Sequence, residues 1–139
     1  MRTAIDTNVL SALWGGEPSA GRIPTFLDEA AAQGALVISP VVYIELRAHP
    51  TATAAFVDQF LETMRIAPDW IYEREVWQLA AERFEQYAKR RRRQGSGEPR
   101  RLAPDFLIAA HGLLHTDRLV TFDQRRYRTD FPELILVGV

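Results

Sequence analysis

The chain has 139 residues, of which 47% are hydrophobic, so we expect a single domain spanning residues 1–139 with a sizeable core. Its 17 basic and 18 acidic side chains nearly cancel, so net charge neither requires nor excludes a nucleic-acid partner. The absence of cysteine excludes disulfides and cysteine nucleophiles, and no apolar run reaches the roughly 18 residues of a membrane span. We therefore expect a cytoplasmic protein that does not associate with membranes.

Hydrophobic periodicity predicts short strands that alternate with helices along the whole chain. The predicted strands end near Ile5, Ile38, Pro68, Phe122 and Val137. The predicted helices span 8–14, 23–33, 40–46, 52–64, 73–93 and 103–113, with side-chain caps expected at Asn8 and Ser39. Continuous apolar strands are typical of a parallel sheet covered on both faces, so the pattern predicts a three-layer α/β/α sandwich with about five mostly parallel strands.

Four carboxylates follow or begin these elements. Asp6 and Asp123 each follow a predicted strand, whereas Glu45 and Asp105 lie early in predicted helices. Each acid also has a simpler explanation. A polar residue after a strand often begins a turn or caps a helix. Glu45 could face water, and Asp105, beside Pro104 at a helix N-terminus, could be there because it interacts favourably with the helix dipole.

The four acids together predict a different chemistry from any one of them. The carboxyl ends of parallel strands share one edge of a sheet, and ligands usually bind there. Gathered carboxylates repel one another and tend to take up protons unless a divalent cation stabilises them as anions. Oxygen ligands without His or Cys select hard cations, so we expect Mg²⁺ or Mn²⁺ and phosphoester hydrolysis.

Four motifs resemble those of PIN-domain ribonucleases, and of their VapC-type toxin branch in particular. The motifs are Ile5-Asp6-Thr7-Asn8-Val9-Leu10, Ser39-Pro40-Val41-Val42-Tyr43-Ile44-Glu45-Leu46, Pro104-Asp105-Phe106-Leu107-Ile108-Ala109-Ala110 and Leu119-Val120-Thr121-Phe122-Asp123. They occur in the order and approximate spacing of that family and span nearly the whole chain. The resemblance implies the strand order 3-2-1-4-5, which would place Asp6 and Asp123 on adjacent strands.

The resemblance also implies roles for these residues. Asp6 and Asp105 would be the principal metal ligands, and Glu45 and Asp123 would complete the catalytic acidic cluster. The supporting residues would be Asn8 and Thr121. The implied reaction is attack of a metal-activated water on RNA phosphorus, leaving a 5′-phosphate and a 3′-hydroxyl. The implied biological role is the toxin of a type II toxin–antitoxin pair, inhibited by a cognate antitoxin and forming a homodimer or a toxin–antitoxin hetero-oligomer.

Basic residues cluster near the predicted acidic site. Eight lie between Arg83 and Arg101, and three more follow Asp123 closely. They could form a rim that contacts RNA phosphates, or the run from Lys89 to Arg93 could be a solvated helix end. The residues expected to contact RNA are Arg125, Arg126, Arg100 and Arg101.

Other side chains carry weaker signals. His111 and His115 lie four apart on one predicted helix but lack the Glu of a metalloprotease motif, so core or surface roles are favoured. Trp70 and Trp77 could serve ordinary burial, a homodimer or an antitoxin interface.

Two alternatives to a nuclease come from other classes. One is a PIN-like module that binds RNA or protein without cutting. The other is a metal-dependent phosphatase with Asp6 as nucleophile, although the second Asp expected in that motif is Asn8 here.

Overall fold

The computed structural model describes residues 1–95 and 102–139. The strands of this part of the chain are β1 Arg2–Ile5, β2 Ala35–Ile38, β3 Ile66–Pro68, β4 Arg118–Val120 and β5 Leu136–Val137. The α-helices are α1 Thr7–Gly15, α2 Ile23–Gln33, α3 Pro40–Arg47, α4 Ala54–Thr63, α5 Arg74–Arg93, α6 Ala103–His115 and α7 Gln124–Arg128, and a 3₁₀ turn covers Pro18–Arg22.

The described strands form one parallel sheet in the order β3-β2-β1-β4-β5, as the sequence predicts. Strand β1 is central and pairs with β2 through Ala4 and Val37, and with β4 through Ile5 and Val120. Along the chain, the strands are added on one side of β1 up to β3 and then on its other side from β4 onward. Such a reversal opens a crevice at the carboxyl edge of the sheet, here between β1 and β4. Asp6 follows β1 at this edge.

The strands are nearly fully apolar because helices cover both faces of the sheet. Helices α2 and α4 pack against β2 and β3, α6 packs against β4, and the long α5 packs along α6. Crossovers between parallel strands are right-handed as a rule, and with the reversal of strand order after β3 this rule predicts α5 and α6 on the face opposite the helices that precede β3. The predicted three-layer architecture is confirmed. No helix in the described residues is both long and apolar enough to cross a membrane.

Two local predictions were wrong, and one helix was missed. The N-cap of α1 is Asp6 and not Asn8, because the Asp6 carboxylate accepts the amide of Thr7 and places Asn8 inside the helix. Ser39 precedes α3 but makes no side-chain capping hydrogen bond. The short helix α7 was not predicted at all.

We predict that Gly34→Ala destabilises the fold, because Gly34 lies where β2 begins to pair with the N-terminus. The Ala35 amide donates to the Met1 carbonyl oxygen at 2.9 Å, and a Cβ on Gly34 would lie 1.7 Å from that oxygen. Forcing such a group into a packed site typically costs about 1 to 3 kcal/mol. Urea denaturation measures the loss, and Gly21→Ala is the control because nothing lies within 4 Å of the added carbon. Equal stability of the two variants would contradict the prediction.

Candidate active site

Asp6 is buried at the carboxyl end of β1, with only 2% of its surface exposed. One carboxylate oxygen, Oδ1, accepts the Thr7 amide at 2.8 Å. The other, Oδ2, accepts the hydroxyls of Thr121 and Tyr127, each at 2.8 Å. Burial raises the pKa of Asp6 above its usual value, and these three donors only partly offset the effect.

Thr121 and Asn8 connect the ends of β1 and β4. The Asn8 amide oxygen accepts the backbone amide of Phe122 at 3.3 Å, and its nitrogen lies 3.4 Å from the Thr121 hydroxyl. The Thr121 hydroxyl also accepts the backbone amide of Asp123 at 3.1 Å. Asn8 and Thr121, both expected to support the site, therefore link the loop that carries Asp123 to the Asp6 carboxylate.

Asp123 is the N-cap of α7. Its Oδ1 accepts the Arg126 amide at 3.2 Å, and its Oδ2 lies 3.3 Å from Nε of the Arg126 side chain. The simpler explanation of Asp123 as a capping residue is therefore correct in part. The same cap directs α7 so that Arg126 and Tyr127 both return toward the end of β1.

Arg126 lies among the acids. Its Nη1 is 3.5 Å from Asp105 Oδ1, at the start of α6. Burial acts to lower the pKa of Arg126, but the carboxylates of Asp105, Asp6 and Asp123 outweigh it and raise the pKa overall. Arg126 thus supplies positive charge where the sequence predicts an acidic cluster.

Glu45 reaches the same edge from α3. The residue as a whole is exposed, but its Oε1 accepts the Thr7 hydroxyl at 2.7 Å beside Asp6. Partial burial of the carboxyl group, followed by repulsion from Asp6 and Asp105, raises its pKa above the usual value. Glu45 therefore faces water, as its simpler explanation requires, and also senses the other acids electrostatically.

The donor set fits a hard divalent cation better than any softer metal, because every candidate ligand is an oxygen. The raised pKa values of Asp6 and Glu45 show that the anionic forms are not fully compensated, and a cation would compensate them. However, within residues 1–95 and 102–139 no three acidic or histidine side chains are close enough together to form a ready-made metal site. The acids share one edge, but each is held by its own hydrogen bonds or by Arg126.

Of the arginines expected to contact RNA, Arg126 lies against the acids. Arg125 is exposed on α7, and Arg100 and Arg101 lie outside the described residues. The basic run at the end of α5 is partly structural. Its Lys89 pairs with Glu85 one turn away, and its Arg90 pairs at 2.5 Å with Asp130, which is buried.

The histidines do not belong to this site. His111 is buried in α6 and its Nε2 lies 2.7 Å from Asp69 Oδ2, which also accepts Arg2 Nη2 at 2.6 Å. Burial lowers the pKa of His111, and the hydrogen bond to Asp69 opposes this effect. The side chain is a core residue with a polar partner, as the sequence favoured.

The sequence reasoning missed Tyr127. It is 1% exposed and its hydroxyl contacts Asp6 directly. Burial, together with the nearby Asp6 carboxylate, raises its pKa far above the usual value, so it remains protonated. The available signal was its position four residues, or about one helical turn, after Asp123.

Comparison with known families identifies the fold. A PIN domain model matches residues 3–132, and the chain therefore belongs to the PIN domain family. No curated protein sequence matches the chain.

Solved structures with the same fold include toxin–antitoxin complexes. The chain is 19% identical to a chain of VapBC2 from Rickettsia felis bound to promoter DNA, with a TM-score of 0.66 over 100% of this chain and 99% of that chain. It is 21% identical to a chain of VapBC-1 from nontypeable Haemophilus influenzae, with a TM-score of 0.66 and coverage of 99% and 98%. It is 22% identical to a chain of FitAcB from Neisseria gonorrhoeae, with a TM-score of 0.63 and coverage of 96% and 95%. At sequence identities this low, the structural similarity establishes a shared fold.

We predict that Asp6→Asn stabilises the protein at neutral pH in buffer without divalent metal. The folded state raises the pKa of Asp6 above its unfolded value near 3.8, so between the two values the folded state binds more protons. Stability therefore falls as pH rises through this window, and the amide, which cannot ionise, escapes the loss.

Urea denaturation from about pH 3 to pH 8 would measure the effect. The advantage of Asp6→Asn should shrink as the pH falls from the raised folded pKa toward 3.8, and it should not change further below that pH. Asp28→Asn, on the exposed surface of α2, controls for the loss of one negative charge. A constant difference between Asp6→Asn and wild type at every pH would contradict the prediction.

Proposed function

We propose that this protein is a divalent-metal-dependent endoribonuclease and the toxin of a toxin–antitoxin pair. The family supports a hydrolase that acts on nucleic acid, since PIN domains are nucleases. The observation that carries the proposal is the approach of Asp6, Glu45, Asp105 and Asp123 to one carboxyl edge of the sheet, around Arg126.

In this proposal Asp6 and Asp105 are the principal ligands of Mg²⁺ or Mn²⁺, and Glu45 and Asp123 complete the acidic cluster. Thr7 orients Glu45 through the bond between its hydroxyl and the carboxylate. When bound, the cation would activate water and offset charge on the phosphodiester oxygens. The acids would hold that cation through their combined negative charge.

Arg126 has two connected roles in the proposal. Its guanidinium offsets the charge of Asp105 and Asp123, as its distances of 3.5 and 3.3 Å from them indicate. With 38% of its side chain exposed, it can also meet a phosphate of the RNA. Arg125, exposed on the same short helix, would add a further phosphate contact that is independent of sequence.

The phosphatase alternative fits the geometry less well. Asn8 cannot act as a second acid, since its amide links Phe122 and Thr121. The binding module without catalysis remains the contrasting outcome of the cleavage experiment.

We predict that Asp6→Asn and Asp105→Asn each lower RNA cleavage by at least about 100-fold, the upper end of the cost of losing an outer-shell partner of a metal. The assay incubates total bacterial RNA with Mg²⁺ or Mn²⁺ and captures product ends with adapters that require a 5′-phosphate. Cleavage should stop when EDTA removes the metal. It should persist at a site where a single 2′-deoxynucleotide is introduced, because the RNA 2′-hydroxyl is not the nucleophile.

The matched control is Asp58→Asn. The Asp58 carboxylate accepts a hydrogen bond from the Tyr43 hydroxyl at 2.7 Å and lies on α4. The variant therefore loses a hydrogen-bonded carboxylate that lies away from the acidic cluster. Activity equal to wild type in both Asp6→Asn and Asp105→Asn would overturn the nuclease proposal. RNA binding that survives EDTA, without cleavage, would favour the binding module.

An apolar surface supports a protein partner. Trp70 and Trp77 are 64% and 54% exposed, and Ile44 and Ile71 beside them are 63% and 72% exposed. They line a groove of about 410 Å³ between α3, α5 and α6. Large exposed aromatic and aliphatic side chains of this kind mark interaction sites. Because the similar solved structures are toxin–antitoxin complexes, we propose a cognate antitoxin as a partner of this protein, which would form a homodimer or a toxin–antitoxin hetero-oligomer.

We predict that expression of the wild-type chain arrests bacterial growth and that Asp6→Asn and Asp105→Asn do not. Co-expression of the protein from the neighbouring reading frame should restore growth, since an antitoxin binds and inhibits its toxin. Colony counts after induction measure both effects, with Asp58→Asn as the control that should remain toxic. Continued growth with the wild type, at protein levels equal to those of the variants, would overturn the toxin role while leaving the nuclease assay to decide the chemistry.

A further inference from the structure

The hydrogen bonds around Asp6 differ between its two carboxylate oxygens. Oδ2 lies 2.8 Å from the Thr121 hydroxyl and 2.8 Å from the Tyr127 hydroxyl. Oδ1 accepts a single bond, from the Thr7 amide at 2.8 Å. An ionised carboxylate offers about two acceptor positions on each oxygen, so Oδ2 is filled and Oδ1 keeps one position.

The direction of the Thr121 hydrogen bond is fixed by its neighbours. The Asn8 amide oxygen accepts the Phe122 N–H, so the Asn8 nitrogen must face Thr121 as a donor. The Asp123 amide donates to the same hydroxyl oxygen. A hydroxyl has two acceptor positions and one proton, so with both acceptor positions occupied Thr121 must donate its proton to Asp6.

Tyr127 supplies the second donor from a different element. Its ring is 1% exposed, and the Phe131 amide donates to its backbone oxygen at 2.9 Å. The helix that carries it begins at Asp123, whose side chain caps it. The phenol therefore approaches Oδ2 from a rigid, buried position, and the end of β1 is held from both β4 and α7.

We propose that Tyr127 is a positioning residue for Asp6: with Thr121, its hydroxyl saturates Oδ2 and leaves Oδ1 as the oxygen that ligates a divalent cation. This inference rests on the proposed function, in which Asp6 is a metal ligand, and it adds a residue that the acidic motifs do not include. Asp6 then ligates through one oxygen in a set orientation. Partners of this kind, which hold a ligand without touching the metal, are worth about 10- to 100-fold in metal affinity.

The test is Tyr127→Phe, which removes one hydroxyl and keeps the ring in the core. We expect the dissociation constant for Mn²⁺, measured by calorimetry on the full chain, to rise about 10- to 100-fold. The matched control is Tyr43→Phe, because the Tyr43 hydroxyl also donates to an aspartate, Asp58, at 2.7 Å but on α4. Its Mn²⁺ affinity should equal that of wild type.

Two results would overturn the inference about Tyr127. One is unchanged Mn²⁺ affinity of folded Tyr127→Phe, whether or not its melting temperature falls, which would leave the hydroxyl with at most a structural role; loss of the folded state in Tyr127→Phe would likewise make the hydroxyl a structural group. The other is equal Mn²⁺ affinity of wild type and Asp6→Asn, which would refute the metal role of Asp6 itself. The second result concerns the proposed function, whereas a loss of affinity in Asp6→Asn without one in Tyr127→Phe concerns this inference alone.

Discussion

The buried carboxylate of Asp6 is the constraint on which the rest of the site depends. An ionised side chain with 2% exposure is costly unless several donors compensate it. Those donors come from three separate elements: the first turn of α1 through Thr7, the end of β4 through Thr121, and α7 through Tyr127. The need to supply donors to the Asp6 carboxylate thus joins the central strand β1 to its neighbour β4 and to α7, a short helix that could not be stable alone.

The same constraint explains how charge is distributed around the edge. Asp6 and Asp105 raise the pKa of Glu45, and the carboxylates of Asp105 and Asp123 attract Arg126, which can reach them because Asp123 caps α7. Asp123 therefore contributes twice, once through its own charge and once by beginning the helix that carries Arg126 and Tyr127. A carboxylate with a capping role and a place in an acidic cluster does not have to be assigned to only one of them.

The region that follows α7 is held from the outside by α5. Arg83 pairs with both carboxylate oxygens of Glu133 and donates to the backbone oxygen of Asp130, while Arg90 pairs with the Asp130 side chain. These contacts give part of the basic run a structural purpose. They also mean that the charges of Arg83 and Arg90 are engaged in ion pairs within the protein, whereas Arg125 and Arg126 lie on α7, directly after Asp123.

The sequence by itself determined the fold class and, through the family resemblance, the strand order, and it singled out the four acids as candidates, because apolar runs and strand-end carboxylates are local patterns. It did not reveal α7, since a helix of five residues is too short for periodicity to register. The cap at Asp6, the inward turn of Asn8, the partnership of Tyr127 with Asp6 and the place of Arg126 among the acids were decided only by the tertiary structure. Apart from the Asp6 cap, which is a local bond to Thr7, each of them joins residues brought together by the pairing of β1 with β4 or by the turn into α7, and such contacts depend on packing that no local pattern encodes.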